Sequence, residues 1–322
     1  MTPEPASPSS APRSAPSPAL APPSIPRPSF VRIWWLAARP ATLPAALAGV
    51  IVGLGAAHGV GAAFRPDTAI GCVLVALLLQ VVANFANDLS DFRRGADTPD
   101  RKGPVRVAAA GFVTPRQLEV AIAITIGLAG VVGLWLAYVG GPVLIGLGVL
   151  AVVAALAYTG GPWPYGYRGL GEVFVFIFFG LVAVIGTAYL QAGRVDALFV
   201  AASIPVGTLT TAILVVNNLR DIPTDRAAGK RTLAVTFGER WTRAEYAALV
   251  GVAFAVPVGL AIAGWSWAAL VPLAAAPRAM PLWRVVQGFG ERRELNLVLK
   301  GTAQLGLVVA VLFAIGLAAG PR

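Results

Sequence analysis

The chain has 322 residues, of which 57% are hydrophobic and 12% are charged, and its mean hydropathy is +0.75. This composition excludes an ordinary soluble domain and is typical of a protein that crosses a membrane many times. The net charge of +10 comes from bases dispersed between apolar segments, so we expect a lipid bilayer as partner and no nucleic acid. A single cysteine and a single histidine exclude an intramolecular disulfide and a thiolate or imidazole metal site.

The first predicted segment is a tail. Residues 1–30 contain ten prolines and seven serines. Such a segment cannot bury enough apolar surface to offset the entropy of ordering it. We therefore expect a disordered, Pro/Ala/Ser-rich tail over 1–30 and a transmembrane domain over 31–322.

Seven charge-free stretches follow, and a spanning helix needs about 20 apolar residues. They cover 40–64, 68–87, 120–167, 173–193, 197–219, 246–277 and 301–321. The third stretch must hold two helices, which we separate at Gly140-Gly141-Pro142. The sixth is separated near Gly264, and its second helix runs past Arg278 towards Arg284. The sequence therefore predicts an all-α, polytopic membrane bundle of about nine transmembrane helices.

The basic residues divide unevenly between the two ends of these helices. The tail and the loops after the second, fourth, sixth and eighth helices hold 22 of the 25 Lys and Arg residues. The other side keeps Arg65, Arg194 and Arg322. Cytoplasmic loops carry an excess of Lys and Arg. We therefore expect the tail and the even-numbered loops on the cytoplasmic side of the cell membrane.

Two segments on that side carry polar motifs at the end of an apolar helix. The first reads NFANDLSD over 84–91, and the second reads NNLRDIPTD over 217–225. Both place Asn and Asp four residues apart, so each pair shares one helix face. The pairs are Asn84 with Asp88, Asn87 with Asp91, and Asn217 with Asp221. Pro223 predicts that regular helix ends near Asp221 and that Asp225 reaches the site from a loop.

The acids and bases of these motifs suggest one shared chemistry. Carboxylates at a membrane are costly unless they are paired or bind a metal. Oxygen ligands without Cys or His favour Mg²⁺, which is usually held by one or two carboxylates together with phosphate oxygens. The neighbouring bases then suit a diphosphate, and they are Arg101, Lys102, Arg106, Arg220, Lys230 and Arg231. Solvated loops that serve only membrane topology would need the bases but not the paired acids.

Four blocks of sequence add a resemblance to a known family. They are ARPATLPAA at 38–46, GADTPDRKGPVR at 95–106, YTGGPWPYGYRGLGE at 158–172 and RDIPTDRAAGKRTLAV at 220–235. Together with the two motifs, they resemble the UbiA superfamily of intramembrane prenyltransferases over residues 32 to about 320. Within it, the chain most resembles the 1,4-dihydroxy-2-naphthoate polyprenyltransferases of menaquinone synthesis.

The resemblance implies Mg²⁺-dependent transfer of a polyprenyl group from polyprenyl diphosphate to 1,4-dihydroxy-2-naphthoate, with loss of carbon dioxide. The implied catalytic metal ligands are Asp88, Asp91, Asp221 and Asp225. The implied substrate-binding residues and ligand partners are Asn84, Asn87, Arg101, Tyr158, Arg168, Asn217, Arg220 and Lys230. Arg101, Arg220 and Lys230 are expected at the diphosphate, and Tyr158 and Arg168 at the aromatic acceptor and its carboxylate.

Two alternative functions stay open at the level of sequence. Another UbiA-type prenyltransferase would act on 4-hydroxybenzoate, homogentisate or a specialised metabolite. A transporter would also carry polar clusters, but its site would more typically lie near the middle of the membrane on broken helices.

Two further features are interpreted as packing rather than as ligand sites. Gly49 and Gly53 have the spacing of a helix-packing surface. A run of aromatic side chains is interpreted as packing or lipid-facing, and it consists of Phe174, Phe176, Phe178 and Phe179.

Overall fold

The structure is a computed structural model that describes residues 27–95 and 106–320. Within these ranges the fold is all-α, as predicted, and contains no strand. The helices are α1 (Phe30–Ala38), α2 (Leu43–Gly59), α3 (Pro66–Arg93), α4 (Pro115–Gly140), α5 (Val143–Ala157), α6 (Gly171–Val175), α7 (Ala183–Ala192), α8 (Ala197–Ala227), α9 (Leu233–Ile262), α10 (Ala276–Gln287) and α11 (Leu295–Ala318). A π-helix over Phe176–Val182 joins α6 to α7, and 3₁₀ helices lie at Pro40–Thr42, Tyr165–Arg168, Trp267–Ala275 and Arg292–Glu294.

Seven helical segments of the described chain are long and apolar enough to cross a membrane. They are Phe30–Gly59, Pro66–Arg93, Pro115–Gly140, Gly171–Ala192, Ala197–Ala227, Leu233–Ile262 and Arg292–Ala318. The apolar helix α5 is shorter. The chain is therefore a multi-pass membrane protein, while a count of nine spans, which would add α5 and the segment around α10, stays a prediction.

Glycine and proline separate the helices at the predicted places. Gly141 and Pro142 lie between α4 and α5, and Gly141 has a φ of 98° that L side chains rarely adopt. Gly264, with a φ of 86°, follows the end of α9. Helix α10 then contains Arg278 and Arg284. These boundaries confirm both predicted divisions of the long apolar stretches.

Helix α2 packs closely on α7 through two glycines. A β-carbon at Gly49 would lie 2.6 Å from Ala183 Cβ, and one at Gly53 would lie 2.6 Å from the Val184 carbonyl oxygen. No side chain fits at such distances without a shift of the backbone opposite. The packing interpretation of Gly49 and Gly53 is confirmed, and it fixes α2 against the helix that follows the π-helix.

Helix α8 differs from the prediction near its C-terminal end, because it continues through Pro223 as far as Ala227. Proline removes the hydrogen bond to the carbonyl four residues earlier, which belongs to Leu219. That carbonyl instead accepts a hydrogen bond from Arg292 Nη1 at 2.6 Å. The prediction that regular helix ends before Pro223 is therefore wrong, and Asp225 lies on α8 itself.

The predicted tail falls mostly on residues 1–26, which lie outside the described residues. At the start of the described chain, Arg27 Nη2 donates to the Phe112 carbonyl oxygen at 3.2 Å. Helix α1 begins at Phe30, which is the last residue of the predicted tail. Whether the preceding segment is disordered stays a prediction.

Candidate active site

The two polar motifs meet where α3 and α8 end. Asn87 and Asp91 lie in the last turns of α3, and Asn217, Asp221 and Asp225 lie in the last turns of α8. All five side chains line one polar cavity of about 220 Å³. The four-residue spacing within each motif places a pair of polar side chains on the same face of the helix. Motifs that are distant in sequence thus contribute to one cavity.

Asp91 accepts hydrogen bonds from different parts of the chain. Its Oδ2 accepts a hydrogen bond from Arg106 Nη2 at 2.6 Å, and its Oδ1 accepts one from the Tyr167 hydroxyl at 2.8 Å. Burial raises the pKa of Tyr167, and the nearby Asp91 carboxylate raises this pKa further. The phenol therefore keeps its proton and acts as a neutral donor to Asp91.

Lys230 links the acids of the two motifs. Its Nζ lies 3.4 Å from Asp225 Oδ1 and 3.8 Å from Asp91 Oδ1. A left-handed turn at Gly229, with a φ of 72°, ends α8 and lets the Lys230 N–H donate to the Asp225 carbonyl oxygen at 2.9 Å. Lys230, predicted at the diphosphate, consequently lines the polar cavity between Asp91 and Asp225.

Arg220 is buried behind the second motif, and it is not among the described residues that line the polar cavity. Its Nε and Nη2 donate to the two Asp221 carboxylate oxygens at 2.8 and 2.6 Å. Nη2 also donates to Asn217 Oδ1 at 2.7 Å, and Nη1 donates to Asn296 Oδ1 at 2.8 Å. The predicted diphosphate contact is not supported by this geometry, which gives Arg220 the role of orienting Asp221 and Asn217.

Asp88 and Asn84 are likewise absent from the described lining of the polar cavity. The Asp88 carboxylate accepts hydrogen bonds from the backbone N–H groups of Val107 at 3.0 Å and Ala108 at 3.3 Å. Asn84 Nδ2 donates to the Ala38 carbonyl oxygen at 2.8 Å. In the described structure both side chains therefore tie α3 to neighbouring segments, and the metal-ligand role of Asp88 and the ligand-partner role of Asn84 stay predictions.

The residues predicted at the aromatic acceptor differ in their placement. Tyr158 lines the polar cavity, and its ring centre lies 5.5 Å from that of Tyr165. Arg168 is exposed, with its guanidinium carbon 5.0 Å from the centre of the Trp163 ring, and lines neither described cavity. The geometry does not support the prediction for Arg168, because its guanidinium lies against the exposed Trp163 ring and outside both described cavities. Arg101 lies outside the described residues.

An apolar cavity of about 370 Å³ adjoins the polar one. Its wall comes mainly from α3, α5 and the segment from α6 to α7, which contains the π-helix. Six residues line both cavities: Gln80, Asn87, Tyr158, Val175, Phe179 and Leu214. Phe174 and Phe178 also line the apolar cavity, so aromatic residues interpreted as packing or lipid-facing form part of a cavity wall.

Comparison with known proteins identifies the family. The chain matches the UbiA prenyltransferase family over residues 46–297. The chain belongs to the UbiA prenyltransferase family. This UbiA-family chain is 44% identical over 287 residues to a 1,4-dihydroxy-2-naphthoate octaprenyltransferase of Mycobacterium tuberculosis, covering 89% of this chain and 97% of the relative. It is 37% identical over 302 residues to the protein of the same name from Escherichia coli, covering 90% and 96%.

Solved UbiA structures share the fold. A UbiA homolog from Archaeoglobus fulgidus, solved bound to DMAPP and Mg²⁺, has a TM-score of 0.65 at 15% identity and covers 88% of this chain and 97% of its own. The apo structure of a UbiA homolog from Aeropyrum pernix K1 has a TM-score of 0.61 at 18% identity, covering 90% and 98%. At these identities the likeness shows the fold alone.

Several residues around the polar cavity of this UbiA-family chain were missed by sequence reasoning. Asn218 lines it, and its Nδ2 donates to the buried Glu172 carboxylate at 2.8 Å. Gln80 and Arg39 line it as well. Gln80 stands four residues before Asn84, so extending the motif spacing one turn upstream would have found it. Arg39 lies in a block that carried the family resemblance, but it has no spacing signal of its own.

The oxygen donors of the polar cavity fit a hard cation. Asp91, Asp221 and Asp225 supply carboxylates, and Asn87 and Asn217 supply amides. Within the described ranges, no group of three or more His, Cys, Asp or Glu side chains converges as a metal site. This donor set still fits Mg²⁺, because Mg²⁺ is usually held by one or two carboxylates and completes its coordination with waters and substrate phosphates.

Proposed function

We propose that this UbiA-family prenyltransferase transfers a polyprenyl group from polyprenyl diphosphate to 1,4-dihydroxy-2-naphthoate, with loss of carbon dioxide, in menaquinone synthesis. The observation that carries this proposal is the junction of a polar cavity, lined by acids of both motifs, with an apolar cavity. A prenyl diphosphate has the same division into a charged head and an apolar chain. The names of relatives at 37–44% identity support the choice of acceptor.

The polar cavity supplies both charges that a Mg²⁺-diphosphate requires. Asp91, Asp221 and Asp225 are the proposed Mg²⁺ ligands, and Lys230 and Arg106 are the proposed diphosphate cations. Bound Mg²⁺ would stabilise the negative charge that develops on the leaving diphosphate. In the described structure, Arg106 pairs with Asp91, Lys230 with Asp225, and Arg220 with Asp221, so each of the three acids has a basic partner.

The proposed reaction exchanges one bond at the prenyl group for another. The bond between prenyl C1 and the diphosphate oxygen breaks, and its electron pair leaves with the diphosphate. A ring carbon of the acceptor bonds to C1, and the carboxylate leaves as carbon dioxide while its bonding pair returns to the ring. The apolar cavity would hold the prenyl chain and exclude water, which protects the cationic carbon from hydrolysis.

The proposed location is the cell membrane, with both motif ends facing the cytoplasm. The uneven distribution of Lys and Arg supports this orientation. Asp91 of α3 and Asp225 of α8 flank the same Lys230, which supports placing the two motifs on one side of the membrane. A water-soluble acceptor and a lipid-soluble donor would then meet at the cytoplasmic boundary.

The acceptor can be tested with membranes that contain the protein. They are incubated with Mg²⁺, a polyprenyl diphosphate and one of three acids: 1,4-dihydroxy-2-naphthoate, 4-hydroxybenzoate or homogentisate. We expect prenylation of the naphthoate, with a product mass equal to prenyl plus acceptor minus the carboxyl group. A prenylated hydroxybenzoate that keeps its carboxyl group, without a naphthoate product, would replace the proposed acceptor. The transporter alternative gains no support from membership of a prenyltransferase family.

A further inference from the structure

The break between α1 and α2 contains an unusual backbone conformation. Arg39 has a φ of 51° and a ψ of 71°, in the left-handed region. It is the only residue other than glycine with a positive φ in the described part of the chain. L side chains populate this region rarely, and such conformations persist where the surrounding structure holds them, often at functional sites.

Buried side chains hold this break in place. The Thr42 hydroxyl donates to the Arg39 carbonyl oxygen at 2.9 Å, and it accepts from Gln80 Nε2 at 2.9 Å and from Asn84 Nδ2 at 3.0 Å. The hydrogen and both lone pairs of the Thr42 hydroxyl are thereby all engaged in hydrogen bonds. Asn84 also donates to the Ala38 carbonyl oxygen at 2.8 Å. Helix α3, which carries the first motif, therefore maintains the strained conformation.

The break lies where the two cavities adjoin. Arg39, Ala41, Thr42 and Ala45 line the polar cavity, and Ala46, the next residue, lines the apolar cavity. With a diphosphate in the polar cavity and a prenyl chain in the apolar one, the reacting carbon lies at this junction. The aromatic ring must reach the same place to form the new bond.

The basic residues of the polar cavity come from different elements. Arg106 and Lys230 both contact Asp91, which places them with the acids of the motifs. Arg39 comes from the α1–α2 break, at the junction of the two cavities. The proposed acceptor is a carboxylate anion, and the planar fork of a guanidinium matches the two oxygens of a carboxylate.

We propose that Arg39 binds the carboxylate of the aromatic acceptor, the role that sequence analysis gave to Arg168. The identity of this acceptor rests on the proposed function. Arg39 is proposed as a substrate-binding residue, and the left-handed turn places it in the lining of the polar cavity, where the apolar cavity begins. Thr42, Gln80 and Asn84 are positioning residues that act through the turn.

Steady-state kinetics of the full chain test the proposal. Arg39→Gln should raise KM for dihydroxynaphthoate on the order of tenfold and leave KM for the prenyl diphosphate within about twofold. Arg39→Lys keeps the charge and should recover part of the loss. Arg32→Gln is the matched control, because Arg32 is an exposed arginine on α1 that lines neither described cavity. A rise in KM for the prenyl diphosphate alone would assign Arg39 to the diphosphate and overturn the proposal.

Direct binding separates this inference from the proposed function. The probes are 1-hydroxy-2-naphthoate and its methyl ester, measured by calorimetry on the purified protein. The wild type should bind the acid about tenfold or more tighter than the ester, and Arg39→Gln should reduce this preference to about one. An unchanged preference overturns the role of Arg39. Absence of transfer to dihydroxynaphthoate by the wild type overturns the proposed function instead, and the acid-to-ester preference still decides Arg39.

A glycine variant separates binding from folding. Arg39→Gly removes the same guanidinium as Arg39→Gln, but glycine adopts a positive φ without strain. We expect Arg39→Gly to melt about 3 °C above Arg39→Gln, while both variants show the same loss of preference for the acid. If Arg39→Gly, the variant with the higher Tm, instead regained the preference for the acid, the guanidinium would have no direct role, and the proposal would be wrong.

Discussion

Replacement of Arg220 by methionine tests how the second motif is held. Arg220 is 2% exposed, and its side chain makes four hydrogen bonds, to Asp221, Asn217 and Asn296. Methionine preserves much of the side-chain volume but provides no donor. The change therefore leaves the Asp221 carboxylate buried beside an apolar side chain.

The cost follows from the burial of both partners. Asp221 is 7% exposed, so solvent screens the pair little. Removal of one partner from a buried ion pair costs about 3–5 kcal/mol, because the other charge stays without compensation. About 1 kcal/mol shifts the Tm of a chain of this size by roughly 2–4 °C, so we expect a fall on the order of 10 °C. Loss of a residue that orients a metal ligand should also lower kcat/KM by roughly 10–100-fold.

The measurement combines thermal unfolding in detergent with kinetics at several Mg²⁺ concentrations. Arg226→Met is the matched control, since Arg226 lies on the same helix in an exposed position and should change neither quantity much. Arg220→Lys should rescue poorly, because a single ammonium cannot reproduce the fork that contacts both Asp221 oxygens. A variant with the Tm of the wild type and a raised KM for prenyl diphosphate alone would refute this reasoning.

Three further predictions concern the metal, the phenol and the topology. Asp91→Asn should abolish transfer, because an amide is a poorer ligand for a hard cation. Chelation of Mg²⁺ should also abolish transfer, and product yield measures both effects. Tyr167→Phe should lower kcat/KM on the order of tenfold. This factor should be the same at every pH between about 7 and 10, since the raised pKa of Tyr167 keeps the phenol protonated over this range. A factor that varies with pH would contradict this role. In a Cys72→Ala background, Ala228→Cys should be labelled only from the cytoplasmic side and Val195→Cys only from outside, and the reverse pattern would overturn the proposed orientation.

The fold was predictable where local chemistry decides it. Gly141 and Gly264 break apolar stretches because of conformations that glycine adopts easily, and such positions are visible in the sequence. Pro223 misled the prediction because its effect depends on a distant residue. The Leu219 carbonyl that it frees is satisfied by Arg292, from a segment that returns to the end of α8 only in the folded chain.

The site was predictable in outline but not in its division of roles. Helical spacing correctly brought Asn87, Asp91 and Asp221 to one cavity. Charge alone could not show that Arg220 faces its own neighbour Asp221, since that depends on how deeply α8 is buried. Asp88 was indistinguishable from Asp91 in sequence, yet its carboxylate accepts hydrogen bonds from the backbone N–H groups of Val107 and Ala108.

The most direct test of the central claim follows the carboxyl carbon of the acceptor. The purified protein, Mg²⁺ and a polyprenyl diphosphate are incubated with dihydroxynaphthoate labelled with ¹³C in its carboxyl group. Labelled carbon dioxide and the prenylated product are then quantified by mass spectrometry. We expect one labelled carbon dioxide for each prenylated ring and no label in the product. A prenylated product that retains the label, or prenyl diphosphate consumed without any prenylated ring, would contradict it.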